Sequence, residues 1–363
     1  MLFQLNILII ACLVAIACVL PGIFLVLRGV ALMSDAISHA ILPGIAIMFL
    51  VVQRLESPLL IVGASCAGLL TVICTERLIQ TRRLKKDAAI GLVFPFFFSV
   101  GVIIISLFAR NVHLDTDIVL LGELAFAPFN RLMLFGVYVG PYALWILAGI
   151  ASINALFVLL FYKELQLLSF DESMCNLFQF KPALLYYALM TITSITAVAA
   201  FDIVGSIVVV ALMITPPATA YLCTHRLQPM ILLSIFFGIV SALFGYAGAR
   251  VFDVSIAGSI ASMGGILFLG ALLCAPYHGL VARIIRLRYY KHILARKLLC
   301  TYLAQSPQTG NHIDDIAVQL GWQPMFTQAI AQEACNNLLV TVNQGWVQLT
   351  LLGHQALADQ MPR

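Results

Sequence analysis

The chain has 363 residues, of which 62% are hydrophobic and 10% charged, with a formal net charge of +4. Soluble domains carry about 25% charged residues, so most of this chain cannot be a soluble enzyme or nucleic-acid-binding domain, and a mean hydropathy of +1.03 points instead to a bilayer. The nine cysteines form no C-x-x-C pair and lie mostly inside apolar runs, which argues against a disulfide framework or a compact zinc site.

The first apolar run covers about 6–27. No basic residue precedes it, so it lacks the positive n-region of a secretory signal and reads as a retained span. The second, about 30–52, contains VALMSDAISHAILPGIA, with Asp35 and His39 in an otherwise apolar stretch relieved only by Ser34 and Ser38. Four residues rise about 6 Å on a helix, so both side chains leave the same face. An ionisable group inside the membrane is costly and faces a bundle interior or a polar path. A carboxylate with a neutral imidazole suits first-row divalent metals. Two readings stay open on spacing alone: a metal or proton pathway, or a helix-end Asp to which the His merely hydrogen-bonds. Pro43 is tolerated at membrane depth where neighbours or a cavity satisfy the backbone.

A third run, about 59–76, is followed by Arg77, Arg82, Arg83, Lys85 and Lys86. The positive-inside rule places this loop in the cytoplasm. Alternating from it, 88–108 goes out, 132–161 returns, 184–201 goes out, 203–223 returns, 230–249 goes out and 255–275 returns. The cluster Arg283, Arg286, Arg288, Lys291, Arg296 and Lys297 then falls inside. Eight or nine spans and an external N-terminus are expected.

Three stretches between or within spans carry chemistry. The external loop 109–131 holds His113, Asp115, Asp117 and Glu123, which either attract a divalent cation or simply solvate the loop. The cytoplasmic stretch YKELQLLSFDESMCNLFQFKP, 162–182, predicts a short helix over about 169–180, with Ser169 as N-cap, Glu172 completing a capping box, and Met174, Leu177 and Phe178 as an apolar stripe. By itself this helix could equally lie on the membrane surface. In 201–222, Asp202 sits at the outer mouth, and Pro216-Pro217 is expected to break the helix as a hinge or a packing kink. No lysine follows a glycine, so there is no phosphate-cradling P-loop and no expected ATP hydrolysis by this chain.

Composition changes near Leu298. Helices are predicted at about 292–305, 313–320 and 325–338, then a hairpin in VTVNQGWVQLT and a last helix at 352–360. That order is similar to a small winged-helix domain, and the chain divides into a transmembrane domain, 1–290, and a winged-helix-like domain, 291–363. Nucleic acid is a poor partner, because the helix in the recognition position has no basic residue. His292, Cys300, His312, Cys335 and His354 are candidates for a sensing metal, although their spacing fits no compact motif.

The run FLVLRGVALMSDAISHAILPGIA, 24–46, closely resembles the signature of the metal-importing ABC permeases of manganese, zinc and iron uptake systems, and the resemblance extends over about 5–276. It implies an all-α polytopic permease in a bacterial cytoplasmic (inner) membrane, with Asp35 and His39 lining the metal path. The same resemblance makes 169–180 the coupling helix, with Ser169, Phe170, Asp171 and Glu172 beginning the contact with a separate ATPase subunit. The external loop resembles a segment of the manganese and iron branch, where a metal-carrying solute-binding protein would dock. A second permease subunit, identical or related, would complete the path. No cofactor is expected to be held permanently; Mn2+, Fe2+ or Zn2+ would be cargo, and the C-terminal domain would be cytoplasmic and regulatory or structural in assembly. Two other classes remain: a proton-coupled secondary metal transporter using Asp35 and His39 as a relay, and a membrane-tethered metal-responsive regulator acting through the tail.

Overall fold

The computed structural model describes residues 2–53, 59–108, 124, 127–129, 131–134, 137–170, 182–275, 279–305 and 311–353. The chain divides into two compact units, Met1–Gly279 and Leu280–Arg363.

The first unit contains α1 (Leu2–Leu27), α2 (Met33–Ala40), α3 (Leu42–Val52), α4 (Leu59–Gln80) and α5 (Lys86–Phe108). A hairpin of β1 (Arg131–Leu134) and β2 (Val137–Pro141) follows. The rest is α6 (Tyr142–Leu160), α7 (Tyr162–Phe170), α8 (Pro182–Val204), α9 (Ser206–Cys223), α10 (Leu227–Phe252) and α11 (Ile256–Cys274). Among the described residues, nine helical segments are long and apolar enough to cross a membrane, with α2 and α3 together forming one of them, Met33–Val52. The expectation of eight or nine spans is met at its upper limit.

α1 is apolar on every side, which is the pattern of a helix surrounded by others. It packs against α6, α8, α9 and α10, and Ile10, Val14, Cys18, Ile23 and Phe24 are fully buried. On one side of it, α9, α10 and α11 pack together; α2 to α5 form a second group, and α8 touches α1, α2 and α4. Buried polar side chains reinforce these seams. Asn154 of α6 donates from Nδ2 to the Ala17 carbonyl and to Thr196 Oγ1, each at 2.9 Å, joining α1, α6 and α8.

Two expectations need correction. The span drawn at 132–161 begins ten residues too early: antiparallel β1 and β2 come first, and the helix starts at Tyr142. Pro141 stands at the N-cap in an extended conformation, φ −64 and ψ 138, and Gly140 has φ +120. A residue before proline is driven out of the helical region, so the helix cannot extend backwards through this pair. The second concerns Pro216-Pro217, which does not end a helix, because α9 runs through both and buries both. Each proline withholds an N–H from a carbonyl four residues earlier. The Met213 carbonyl, deprived in this way by Pro217, faces Gly22 of α1 so closely that a Cβ at Gly22 would collide with it. Lateral packing thus absorbs the irregularity.

The second unit consists of α12 (Leu280–Gln305), β3 (Asn311–His312), α13 (Ile313–Leu320), α14 (Pro324–Asn336), β4 (Val340–Asn343) and β5 (Trp346–Leu349). Its antiparallel sheet has the order β3-β5-β4. The core joins Leu299, Cys300 and Leu303 of α12 to Ile316, Ile330, Ala334, Val340 and Val347. The hairpin turns at Gln344 and Gly345, both with positive φ (47 and 84), as a two-residue type I′ loop requires. Most of the expected last helix, 354–360, lies outside the described residues.

Candidate functional site

The site is aimed by the way α1 ends. Gly29 takes a left-handed φ of +65. The Val30 N–H then donates to the Leu25 carbonyl and the Gly29 N–H to the Val26 carbonyl, both at 3.0 Å, which is a Schellman termination. Val30 and Leu25 are both buried, supplying the apolar contact that accompanies this motif. The chain therefore leaves α1 in a defined direction and enters α2 at Met33. In α2, Met33, Ser34, Ala36, Ile37, Ser38 and Ala40 are buried. Ser34 Oγ donates to the Ala31 carbonyl at 2.9 Å and Ser38 Oγ to the Ser34 carbonyl at 2.8 Å, so neither serine is left unsatisfied. Asp35 and His39 occupy the remaining, partly open face.

His39 Nε2 lies 3.5 Å from Asp35 Oδ1. Phe94 and Phe98 of α5 flank the imidazole, with ring centroids 6.1 and 6.3 Å from it. Just beyond the pair the span breaks: α2 stops at Ala40, Ile41 forms a turn, and α3 restarts with Pro43 in its first turn. Pro43 has no N–H to offer the His39 carbonyl, so the residue carrying the imidazole also presents a backbone oxygen without its helical donor. Close packing holds this break in place. Gly44 of α3 and Gly63 of α4 meet so closely that a Cβ on Gly44 would collide with the Gly63 carbonyl, the small-residue contact that brings membrane helices together.

One carboxylate and one imidazole are only part of a metal coordination shell, and among the described residues no group of three or more His, Cys, Asp or Glu side chains gathers anywhere. The arrangement suits transient contact with a divalent ion that keeps water or finds further donors elsewhere, rather than permanent retention.

Other residues singled out by sequence fall as follows. Ser169 is in the last turn of α7, not at a helix N-cap: its Oγ donates back to the Leu165 carbonyl at 2.8 Å. Phe170 ends the same helix and is largely exposed. Asp171 and Glu172 lie outside the described residues, as do His113, Asp115, Asp117, Glu123 and His354. Among the described residues, the candidates for a sensing metal do not assemble. His292 Nδ1 is instead 2.9 Å from Glu333 Oε2, and His312 Nδ1 is 3.3 Å from Asp314 Oδ2. Cys300 is buried in the second core. Sequence reasoning missed Phe94 and Phe98, whose aromatic run in α5 carries no local mark of a neighbour in α2.

Residues 2–275 match the ABC 3 transport family. Over 274 residues the chain is 42% identical to the manganese transport system membrane protein MntD of Bacillus subtilis, spanning 76% of this chain and 92% of that protein. It is 44% identical over 299 residues to the zinc transport system membrane protein TroD of Treponema pallidum, spanning 82% and 81% respectively. The fold is also similar to a solved structure of PsaBC from Streptococcus pneumoniae in complex with Fab, with a TM-score of 0.64, 31% identity, and coverage of 79% of this chain and 95% of that one. The chain, a multi-pass membrane protein, belongs to the ABC 3 transport family.

Proposed function

We propose that this protein is the membrane permease subunit of an ATP-driven importer of divalent transition-metal ions, with manganese or ferrous iron favoured and zinc as the remaining possibility. The observation that carries the reading is the Asp35–His39 pair, held on the open face of a broken membrane helix in a chain related to manganese and zinc permeases. The metal is cargo. Its ligands must select it and then release it, which two donors with an incomplete shell can do and a closed four-ligand site cannot. A second permease subunit, the same or a related chain, would face this one across the path. A metal-binding solute-binding protein would deliver the ion from outside, with His113, Asp115, Asp117 and Glu123 at the surface that admits it.

ATP hydrolysis is assigned to separate ATP-binding-cassette subunits in the cytoplasm. Ser169 and Phe170, with Asp171 and Glu172 after them, would begin the contact surface, and the exposed phenyl ring of Phe170 at the end of α7 supports this placement. The second unit is read as a winged-helix-like cytoplasmic domain, supported by its helix–strand–helix–helix–hairpin order, with a role in assembly or regulation rather than in binding nucleic acid.

Radiolabelled manganese uptake into cells expressing the complete system, with iron and zinc as competitors, tests the reading. Uptake should stop on ATP depletion and persist when the proton gradient alone is collapsed. Uptake that instead follows the proton gradient would establish the secondary-transporter alternative.

A further inference from the structure

Arg28 stands where four helix ends meet. It closes α1, and its guanidinium lies over the ring of Tyr186 near the start of α8, with Cζ 4.5 Å from the ring centroid. Nη1 also donates to the Leu168 carbonyl at 3.5 Å. Leu168 lies near the C-terminal end of α7, where the negative end of the helix dipole attracts a cation. The Arg28 carbonyl in turn accepts from Nζ of Lys86, the first residue of α5, at 2.9 Å. The Schellman turn at Gly29 and Val30 then leads directly into α2.

Both walls of the candidate site are thus tied to this one residue. α2, which carries Asp35 and His39, follows it in the chain. α5, which carries Phe94 and Phe98, is held by its first side chain to the Arg28 backbone. On the other side, α7 runs straight into the stretch assigned above to ATPase contact, with Leu165 and Leu168 buried against its neighbours. We propose that Arg28 is a positioning residue that transmits displacement of α7 to the Asp35–His39 helix and to its aromatic wall, coupling the ATPase cycle to opening of the metal path. The inference rests on the importer reading. Planarity is what the role requires: a guanidinium can stack on the Tyr186 ring and still direct an N–H at a carbonyl, whereas a lysine ammonium is a single point charge.

The test uses the complete transporter in proteoliposomes, with manganese uptake and ATP hydrolysis measured on the same vesicles for the parent, Arg28→Lys and Arg28→Gln. In Arg28→Gln, hydrolysis should stay within about twofold of the parent while metal carried per ATP falls roughly tenfold, with Arg28→Lys between the two. Tyr186→Leu, which removes the ring and keeps an apolar side chain, should lower the same ratio and serves if Arg28→Gln is recovered poorly. A ratio unchanged in all three variants, or uptake and hydrolysis falling in proportion, would show that Arg28 only stabilises the fold and would overturn the proposal. A parent complex that hydrolyses ATP and carries no metal overturns the importer reading and this inference with it.

Discussion

Nε2 of His39 stands 3.5 Å from Oδ1 of Asp35 across one turn of α2. An ion about 2.1 Å from each atom would see them at roughly 110°, within the range of tetrahedral and distorted octahedral shells. The helix thus presents two donors already spaced for one ion, without rearrangement of its backbone.

Replacing either donor should impair transport strongly without unfolding the span, because neither side chain is part of the buried face of α2. Asp35→Ala and His39→Ala are each expected to lower manganese uptake at least about tenfold, the scale of one lost ligand or ligand-orienting contact. Surface-exposed amounts of the complex should stay unchanged. Asp35→Asn, which keeps an oxygen donor but loses the charge, should fall between parent and Asp35→Ala. Full uptake by both alanine variants would make the pair structural.

Phe170 ends α7 with its ring in the open, 58% exposed. Buried aromatic anchors supply much of the affinity of protein interfaces. Phe170→Ala should therefore weaken retention of the ATPase subunits during purification of the complex, with a loss of about 2 kcal/mol or more in association free energy. Equal stoichiometry and equal salt resistance for parent and variant would remove Phe170 from the contact surface.

The contact between Gly44 and Gly63 makes a packing prediction with its own control. A methyl group on Gly44 would meet the Gly63 carbonyl and, at 2.8 Å, the Cβ of Ala67, whereas Gly149 and Gly270 have nothing within 4 Å of the corresponding position. Overpacking costs about 1–3 kcal/mol. Gly44→Ala should lower the thermal midpoint of the purified protein by several degrees, while Gly149→Ala and Gly270→Ala leave it unchanged or raise it slightly, since alanine favours the helix.

In the second unit, burial pushes the Cys300 thiol up, with Arg296 opposing part of the effect. A raised thiol carries less thiolate at any given pH, and thiolate is the reactive form. Near pH 7, maleimide should label half-buried Cys335 well before buried Cys300. Cys300 labelling should climb only as pH passes above the ordinary thiol value of about 8.5. Peptide mass spectrometry on the folded protein checks the order, and prior labelling of Cys300 would mean that the core around Leu299, Ile316 and Ile330 opens readily.

Much of this protein was determined by residue order alone. A bilayer core requires about 20 apolar residues for each crossing helix, so runs such as 59–76 and 255–275 announce α4 and α11 without knowledge of their neighbours. The helical period likewise places Asp35 and His39 on one face, and Gly345 in VTVNQGWVQLT marks a hairpin through its tolerance of positive φ. Tertiary structure decided the remainder. The Gly44–Gly63 contact fixes how closely α3 and α4 approach around the break at Ile41, Gly22 closing on the Met213 carbonyl lets α9 run through two prolines, and β3 exists only because β5 lies beside it. Phe94 and Phe98 reach His39, and Arg28 reaches Leu168 and Tyr186, from elements far away in the chain. Such contacts leave no periodic trace, because periodicity records which face of an element is buried and says nothing of which residue buries it.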